Sequence, residues 1–313
     1  RAVFEKHLIT GGLDFRNYFH QNQLNYDVNP YTSYLSDDRS STVWAFYVQD
    51  EYSITRMLSL NIAVRHDVYP TLSATNPRVA LLFHPWEHTS FKLVAGRAFR
   101  APSAYELYFA SPLNEANPHL RGETVRSGEL IMEQGLGRRL RMTVCAYNNN
   151  MQGLISGTID PSDGKAVLMN NDAVLARGVE MQLDGKLDNG IAGRASYTYG
   201  DANDKFSPFR LPDSPRHLAK FNLTVPLLRR RLLAGWESQY SSQRATLAEN
   251  YLGGFFVTNL TLSARNLGKH TDLSFSLYNL FDKNYSQPGG AAMLQDALKQ
   301  DGRSFRIKVG FKF

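Results

Sequence analysis

Cys145 is the one cysteine in 313 residues, so no disulfide can close within the chain. Apolar residues nowhere run for the roughly 18 positions that a membrane-crossing helix needs. Mean hydropathy is −0.36, a value that taken alone suits a soluble protein. H-E-x-x-H, G-x-S-x-G, G-x-x-x-x-G-K and G-x-G-x-x-G are all missing, which removes the common metalloprotease, serine-hydrolase and phosphate-loop chemistries. No enzyme is expected. Among the eight histidines only His84 and His88 are close, either side of Pro85, Trp86 and Glu87. They read as a hairpin end in preference to a metal site.

Charge of one sign is not concentrated either. Lys and Arg number 35 against 29 Asp and Glu, a net charge of +6. The cations are spread along the chain, with no compact patch interleaved with stacking aromatics, so no nucleic-acid partner is expected. The one tight run, Arg229, Arg230 and Arg231, reads as a solvated turn. Cys145 shares a strand face with Arg141, Thr143 and Tyr147 and reads as a small strand residue. Asp37 with Asp38, and Asp201 with Asn203 and Asp204, are oxygen-rich and could hold a divalent cation. Both read first as turn residues, so no metal and no cofactor is expected.

What the chain does have is alternation. In the last twelve residues Phe305, Ile307, Val309, Phe311 and Phe313 alternate with Arg306, Lys308, Gly310 and Lys312. Side chains of a strand point to opposite faces in turn, so one face here is apolar and the other cationic. The same grammar recurs at Leu58, Leu60, Ile62 and Val64, at Val179, Met181 and Leu183, and at Leu273, Phe275 and Leu277. About fourteen such segments occur, each near or above the roughly 9–11 residues that span a bilayer as a tilted strand. They begin near Lys6, Thr42, Met57, Pro77, Ser90, Glu123, Arg139, Ala176, Ile191, Pro215, Arg231, Phe255, Thr271 and Arg303. The connections between them alternate in length. The long ones are expected at 17–41, 68–76, 100–122, 156–174, 201–214, 242–254 and 282–302. Short turns on one side and long loops on the other are the pattern of an up-and-down barrel across a membrane. The predicted fold is all-β: a transmembrane antiparallel up-and-down β-barrel of about 14 strands. No helical period is evident, apart from a turn or two of helix at 291–300 inside a loop.

Several stretches resemble the barrel of TonB-dependent outer-membrane receptors. GRAFRAPSAYELYF (96–109) is similar to that family's "GxxFRAPs…EL" signature. NPHLRGETVRSGELIME (117–133) resembles its "NPxLxPEtsxxxElG" segment, with Gly122 where the family usually has Pro. ARGVEMQLDGKL, SLYNLFDKNYSQPG (276–289) and the closing GRSFRIKVGFKF also match in the expected order. The motifs have plain physical readings. Pro102 cannot donate to a ladder, so it marks where pairing stops. In NLFDKNY, Leu280 and Phe281 end a strand and Asp282 and Asn284 suit a turn.

The resemblance implies one β-barrel region over 1–313, part of a barrel of about 22 strands, with the plug and first barrel strands not among these residues. It implies residence in the outer membrane of a Gram-negative-type cell, embedded in membrane lipid. It implies assembly by the barrel-assembly machinery, with Phe305, Ile307, Val309, Phe311 and Phe313 as the assembly signal. The TonB complex would be met only through the plug. The solute would be small and scarce, siderophore-, vitamin- or glycan-like. Ligand contacts are expected from loop residues of large contact area: Tyr31, Tyr34, Tyr69, Tyr105, Tyr108, Phe109, Phe206, Phe209, Arg210 and Tyr251. The alternative is a complete passive pore of about 14 strands, since that even number also closes.

Overall fold

The computed structural model describes residues 2–206, 210–228, 231–267, 270–290 and 293–311. Sixteen strands join one sheet. Two of them, Ala2–Phe4 and Asn114–Glu115, are short additions at its margins. The other fourteen form the wall. In chain order they are β1 (His7–Tyr18), β2 (Ser41–Ser53), β3 (Leu58–Val68), β4 (Ser73–Trp86), β5 (Thr89–Arg100), β6 (Glu123–Leu136), β7 (Leu140–Ile159), β8 (Ala166–Lys186), β9 (Ala192–Asp204), β10 (His217–Leu227), β11 (Leu232–Ser241), β12 (Phe255–Leu267), β13 (Thr271–Tyr278) and β14 (Ser304–Phe311). Each pairs antiparallel with its neighbour in sequence, which gives an up-and-down wall. Inter-strand pairing satisfies backbone N–H and C=O groups without water, the condition for irregularity-free strands in lipid. Among the described residues β1 and β14 are not paired with each other; Ala2–Phe4 folds back on the start of β1 instead.

Register sorts the side chains into two faces. One rung runs Leu60, Leu81, Leu93, Leu130, Ala146, Val179, Tyr199 across seven strands. It belongs to an apolar face on which Leu93 and Leu130 are 55% and 52% exposed. Large apolar side chains left this open suit lipid, where burial against protein is not required. The adjacent rung, Asn61, Ala80, Val94, Glu129, Tyr147, Gly178, Gly200, faces the other way. That polar face carries Lys92–Glu133 at 2.8 Å, Arg65 with Asp14 and Asp67 at 3.1 and 2.9 Å, and Arg194–Asp184 at 2.6 Å. Tyr147 lies over the glycines of its own rung. A Cβ at Gly178 would collide with the Tyr199 carbonyl oxygen and stand 2.7 Å from Tyr147 Oη. The glycine leaves room for the ring.

Buried side chains gather at the long-loop end, where connections fold back on strand ends. Leu107, Leu120, Ala245, Thr246, Phe255 and Thr258 are examples.

The fourteen strands expected from alternation are the fourteen observed, and two begin well before their expected starts. β4 begins at Ser73, ahead of Pro77. Its first residues pair with β3 alone, and pairing with β5 starts only at Arg78. The missing Pro77 N–H therefore disrupts no ladder on that side. The expected loop 68–76 shrinks to a turn at 69–72, closed by Tyr69 N–H donating to Leu72 O at 2.8 Å. β8 begins at Ala166, ahead of Ala176. The expected loop 156–174 is mostly the end of a long β7–β8 hairpin, paired up to Ile159 and Ala166. Its β-branched and apolar residues pair beyond the wall, and the loop reduces to 160–165. Asp160 and Asp163 accept the Ser162 and Lys165 N–H groups there at 2.8 and 3.0 Å. Gly153, with φ of 63°, forms a bulge in β7 where this hairpin leaves the wall.

The expected helical turn at 291–300 is also overturned. Residues 291–292 lie outside the described residues, and Ala297–Lys299 is a strand paired with Ser286–Pro288. The helix is α1 (Ala104–Tyr108), in the loop after β5. β13 ends at Tyr278, ahead of the apolar pair. Buried Asn279, at φ of 48°, turns the chain there. Its side chain accepts from Lys283 N–H at 2.8 Å and donates to Lys283 O and Asp301 O at 2.9 and 3.2 Å.

Candidate ligand-binding mouth

β5 stops at Arg100, two residues before Pro102 as the sequence suggested. Ser103 then caps α1. Its Oγ accepts from Glu106 N–H at 3.2 Å, and Glu106 Oε2 accepts from Ser103 N–H at 2.7 Å. This reciprocal box satisfies two donors that a helix start leaves open. Glu106 also takes a two-pronged hydrogen bond from Arg100, at 2.8 and 2.9 Å. Arg100 Nε reaches Glu123 at 2.7 Å, and Glu123 Oε1 accepts Ile155 N–H at 2.8 Å. One guanidinium thus ties α1, the start of β6 and the β7 hairpin. Hydrogen bonds from Arg100, outweighing partial desolvation, hold the Glu106 carboxyl down to a pKa of about 2.

The anchored helix presents aromatics. Tyr105 stacks on Phe109 with centroids 4.5 Å apart. The Arg39 guanidinium lies 3.4 Å above the Tyr108 ring, a cation–π geometry, and is ion-paired with Asp37. Arg39 closes a hairpin of strands Gln23–Val28 and Tyr31–Asp37. That hairpin leans on the α1 loop through Gln23 Nε2 to Ala104 O at 2.9 Å and Asn25 Nδ2 to Ala110 O at 3.2 Å. On it, Tyr31 packs on Tyr26 at 5.5 Å and Tyr34 Oη donates to Asp27 at 2.5 Å. A cavity of about 550 Å³ opens between these loops, lined by Tyr18, Arg39, Tyr69, Arg100, Leu107 and Tyr108 among others. Tyr69 is held edge-on to Phe99 at 5.6 Å.

The expected site residues therefore fall into two groups. Tyr69 and Tyr108 line this cavity, whereas Tyr31 and Tyr34 on the hairpin and Tyr105 and Phe109 on the α1 segment lie on the adjoining loops without lining it. Arg210 and Tyr251 flank a smaller one of about 120 Å³, with Leu211 and Leu247. Phe206 is 74% exposed beside it, and Phe209 lies outside the described residues. The loops of this second group are tied by Arg244, which donates to Asp213 at 2.8 Å and to Ser286 O at 3.1 Å. Asp296 accepts from Thr246, Asn250 and Ala248 N–H at 2.8, 3.0 and 3.2 Å. Those bonds, Asn250's first, hold its pKa below the usual carboxylate value. Among the described residues no hydrogen bond or ring contact joins the two groups.

Sequence reasoning missed Arg39, Arg100, Glu106 and Glu123. The Ser103-Ala104-Tyr105-Glu106 spacing is a capping-box signature and could have revealed the helix. Nothing local marks Arg39 as the partner of Tyr108. The oxygen-rich clusters expected in turns sit largely on strand ends, with Asp37 closing Tyr31–Asp37 and Asp201, Asn203 and Asp204 in the paired end of β9. Asp37 is paired with Arg39, and Asp201 faces Arg177, Arg210 and Arg216 at 3.6, 3.7 and 3.7 Å. Glu115, Asp160 and Asp163 could reach one ion. Asp160 and Asp163 already serve the 160–165 turn; hydrogen bonds from the Ser162 side chain and then its N–H lower the Asp160 carboxyl, and those from the Lys165 side chain and then its N–H lower Asp163. At the opposite, short-turn end, a polar space of about 1130 Å³ is lined by Glu133, Arg139, Arg141, Asp184 and Arg194 among others. On β14 the expected apolar face is open, with Phe305 at 71% and Phe311 at 66%; Phe313 lies outside the described residues.

The sequence profile of the family described as "TonB dependent receptor-like, beta-barrel" matches residues 4–280. A ferric-pyoverdine BN7/BN8 receptor of Pseudomonas putida is 24% identical over 262 residues, covering 79% of this chain and 32% of that protein. An iron-regulated outer membrane virulence protein of Vibrio cholerae is 24% identical over 311 residues, covering 88% of this chain and 45% of its own length. Among solved structures, the siderophore receptor PirA from Acinetobacter baumannii aligns with a TM-score of 0.78 at 13% identity, over 99% of this chain and 53% of PirA. The copper transporter OprC aligns at 0.75 and 19% identity, over 99% of this chain and 55% of OprC. At these identities the structural likeness speaks for the fold. The chain spans about half the length of those structures and less than half of the curated relatives.

Proposed function

The chain belongs to the TonB-dependent receptor-like β-barrel family, and on that footing we propose that it forms barrel wall and mouth of an outer-membrane receptor that captures an extracellular solute for energised uptake. The observation that carries the reading is the anchored aromatic and guanidinium group around the 550 Å³ cavity. Arg39 over Tyr108, with Tyr18, Tyr69 and Arg100, offers stacking faces and fixed cationic donors. Those features suit a compact, anionic, partly aromatic solute such as a metal chelate of the siderophore class, in keeping with what the relatives' names say they bind. A vitamin- or glycan-like solute is the competing class. The polar space at the short-turn end is the proposed contact surface for a plug in the whole receptor, and the TonB complex its proposed energy source. The exposed stripe Phe305, Ile307, Val309 and Phe311 is the proposed handle for the barrel-assembly machinery.

The test is equilibrium binding of a panel of ferric chelates to the full receptor, with R39A and Y108A variants beside the wild type. The reading expects one chelate class to bind and each variant to lose roughly 5–30-fold, the range of a desolvated cation–π contact and the apolar area removed. Wild-type affinity in both variants sinks it. Steady solute-independent conductance in single-channel recordings of the full protein would favour the passive pore instead.

A further inference from the structure

At the short-turn end the polar face hollows where small residues stand beside long ones. Gly135 shares a rung with Arg141, and Ala192 pairs with Lys186. All four line the space of about 1130 Å³. Besides His88, its ionisable lining is Arg138, Arg139, Arg141, Lys186 and Arg194 against Glu133 and Asp184. Both acids are already engaged. Asp184 accepts from Arg194 Nε at 2.6 Å on one oxygen and from Gln182 Nε2 at 2.6 Å on the other. Glu133 accepts from Lys92 Nζ at 2.8 Å and from Ser90 Oγ at 3.5 Å. Arg141 and Arg194 flank Asp184 from β7 and β9 on one rung, and the carboxylate serves only Arg194. Arg139 is ion-paired with Asp188 on the next short turn. Three cations are left over. Among the described residues the side chains of Arg138, Arg141 and Lys186 form no hydrogen bond and no ion pair.

A hollow lined by one sign of charge concentrates the opposite sign. Guanidinium forks match carboxylate and other oxyanion groups in pairs, and an ammonium adds a point charge. The mouth cavity offers cations at the other end of the same strands. Its Arg100 lies roughly 40 Å up β5 from His88, at about 3.3 Å per residue. No small solute touches both. We infer that the short-turn space is a second, weaker binding site for the anionic groups of the solute, met on its way out of the barrel, with Arg138, Arg141 and Lys186 as its ligands. The inference rests on the function proposed above, in which an anionic solute enters at the mouth. A plug that touches the wall here forms the other side of this site. A small anion is the occupant, in preference to an acidic plug segment, because all three cations are exposed at the ends of long side chains. Exposed charge contacts are individually weak, and a solute in transit needs a site that lets it go.

The test uses the purified full receptor and citrate, a small tricarboxylate, titrated at low ionic strength. Citrate should bind, and its neutral trimethyl ester should not. Arg138→Gln, Arg141→Gln and Lys186→Gln combined should weaken citrate roughly 10-fold, as three exposed charge contacts are lost. Arg138→Lys, Arg141→Lys and Lys186→Arg combined should keep most of the binding, which separates lost charge from misfolding. Arg39→Ala, in the mouth, should not shift it. The second readout is energised uptake of the ferric chelates of the panel, labelled with radioactive iron and compared at equal occupancy of the mouth. The triple Gln variant should take up iron at least about 3-fold more slowly, as an exit step is impaired. Equal binding of citrate and its ester, wild-type citrate binding by the Gln variant, loss of it in Arg39→Ala, or unslowed uptake each overturns the assignment. A plug opened to protease in the Gln variant, with citrate binding intact, gives the three cations to an acidic plug segment instead. Failure of the mouth reading shows separately, as loss of every ferric-chelate signal while citrate still titrates.

Discussion

At the short-turn end of the wall the chain reverses within a few residues, as between β4 and β5 or β8 and β9, and polar side chains pair mainly with neighbouring strands. Lys92 with Glu133 and Arg194 with Asp184 are of this kind. At the long-loop end the ties skip across the sequence. Gln23 reaches the Ala104 carbonyl, Arg39 covers Tyr108, and Arg244 links the loops that contain Asp213 and Ser286. Nearest-neighbour ties suffice where the wall only has to keep its strands in register and one face polar. A mouth that must hold one shape needs residues from several loops to restrain each other, because each loop alone loses too much conformational freedom.

The sharpest way to break the contrast is to place a charge on the lipid face of the wall and compare it with one near the loop end. Leu130→Arg in mid-strand should cost about 2–4 kcal/mol, whereas Asn150→Arg near the outer rim should cost about 0–1 kcal/mol. Unfolding titrations of the barrel in lipid vesicles measure both. Equal costs would show that the apolar stripe does not meet lipid.

On the polar face the test is steric. Gly178→Ala drives a Cβ into Tyr147 and the Tyr199 carbonyl, with an expected loss of about 1–3 kcal/mol. Gly128→Ala, on the opposite, apolar face two residues from Leu130, meets nothing within 4 Å and should stay within about 0.5 kcal/mol of wild type. The same unfolding titration reads the difference.

The mouth should be looser than the wall and should respond to its anchors. Ser103→Ala removes the α1 cap and should cost the loop about 1 kcal/mol, seen as faster hydrogen exchange at 104–109 with the wall unchanged. The pH dependence has a fixed sign. Glu106 titrates at about 2 when folded, against an ordinary 4.5, so its stabilisation is complete above about pH 4.5 and is lost as pH falls through about 2. Loop exchange should therefore quicken between those values, and Glu106→Gln should abolish that step. The smallest effect is expected at Arg39→Lys, which keeps the charge but loses the planar stack on Tyr108. Chelate affinity should fall by a few-fold, the worth of an exposed cation–π contact of about 0.5–1 kcal/mol.

The wall was legible because it is periodic. Alternation such as Leu58, Leu60, Ile62 and Val64 sets which side chains share a face, and antiparallel neighbours follow from short connections. The two early strand starts escaped for a physical reason. β7 and β8 go on pairing after the alternation between lipid and lumen has lost its meaning, and Pro77 sits where only one neighbour asks for hydrogen bonds. The mouth was legible only in composition. Tyr105, Tyr108 and Arg210 could be named as loop residues of the right type, but their division into two separate groups could not.

The sequence by itself determined the strand order, the two faces and the family, since each rests on a period of two residues or on contiguous motifs. The tertiary structure decided which cations meet which partners. Arg39 meets Tyr108, Arg100 ties α1 to β6, and Arg177, Arg210 and Arg216 crowd one carboxylate on the outer face. Those contacts join residues far apart along the chain, and no local pattern records a distance that only the closing of loops over strands creates.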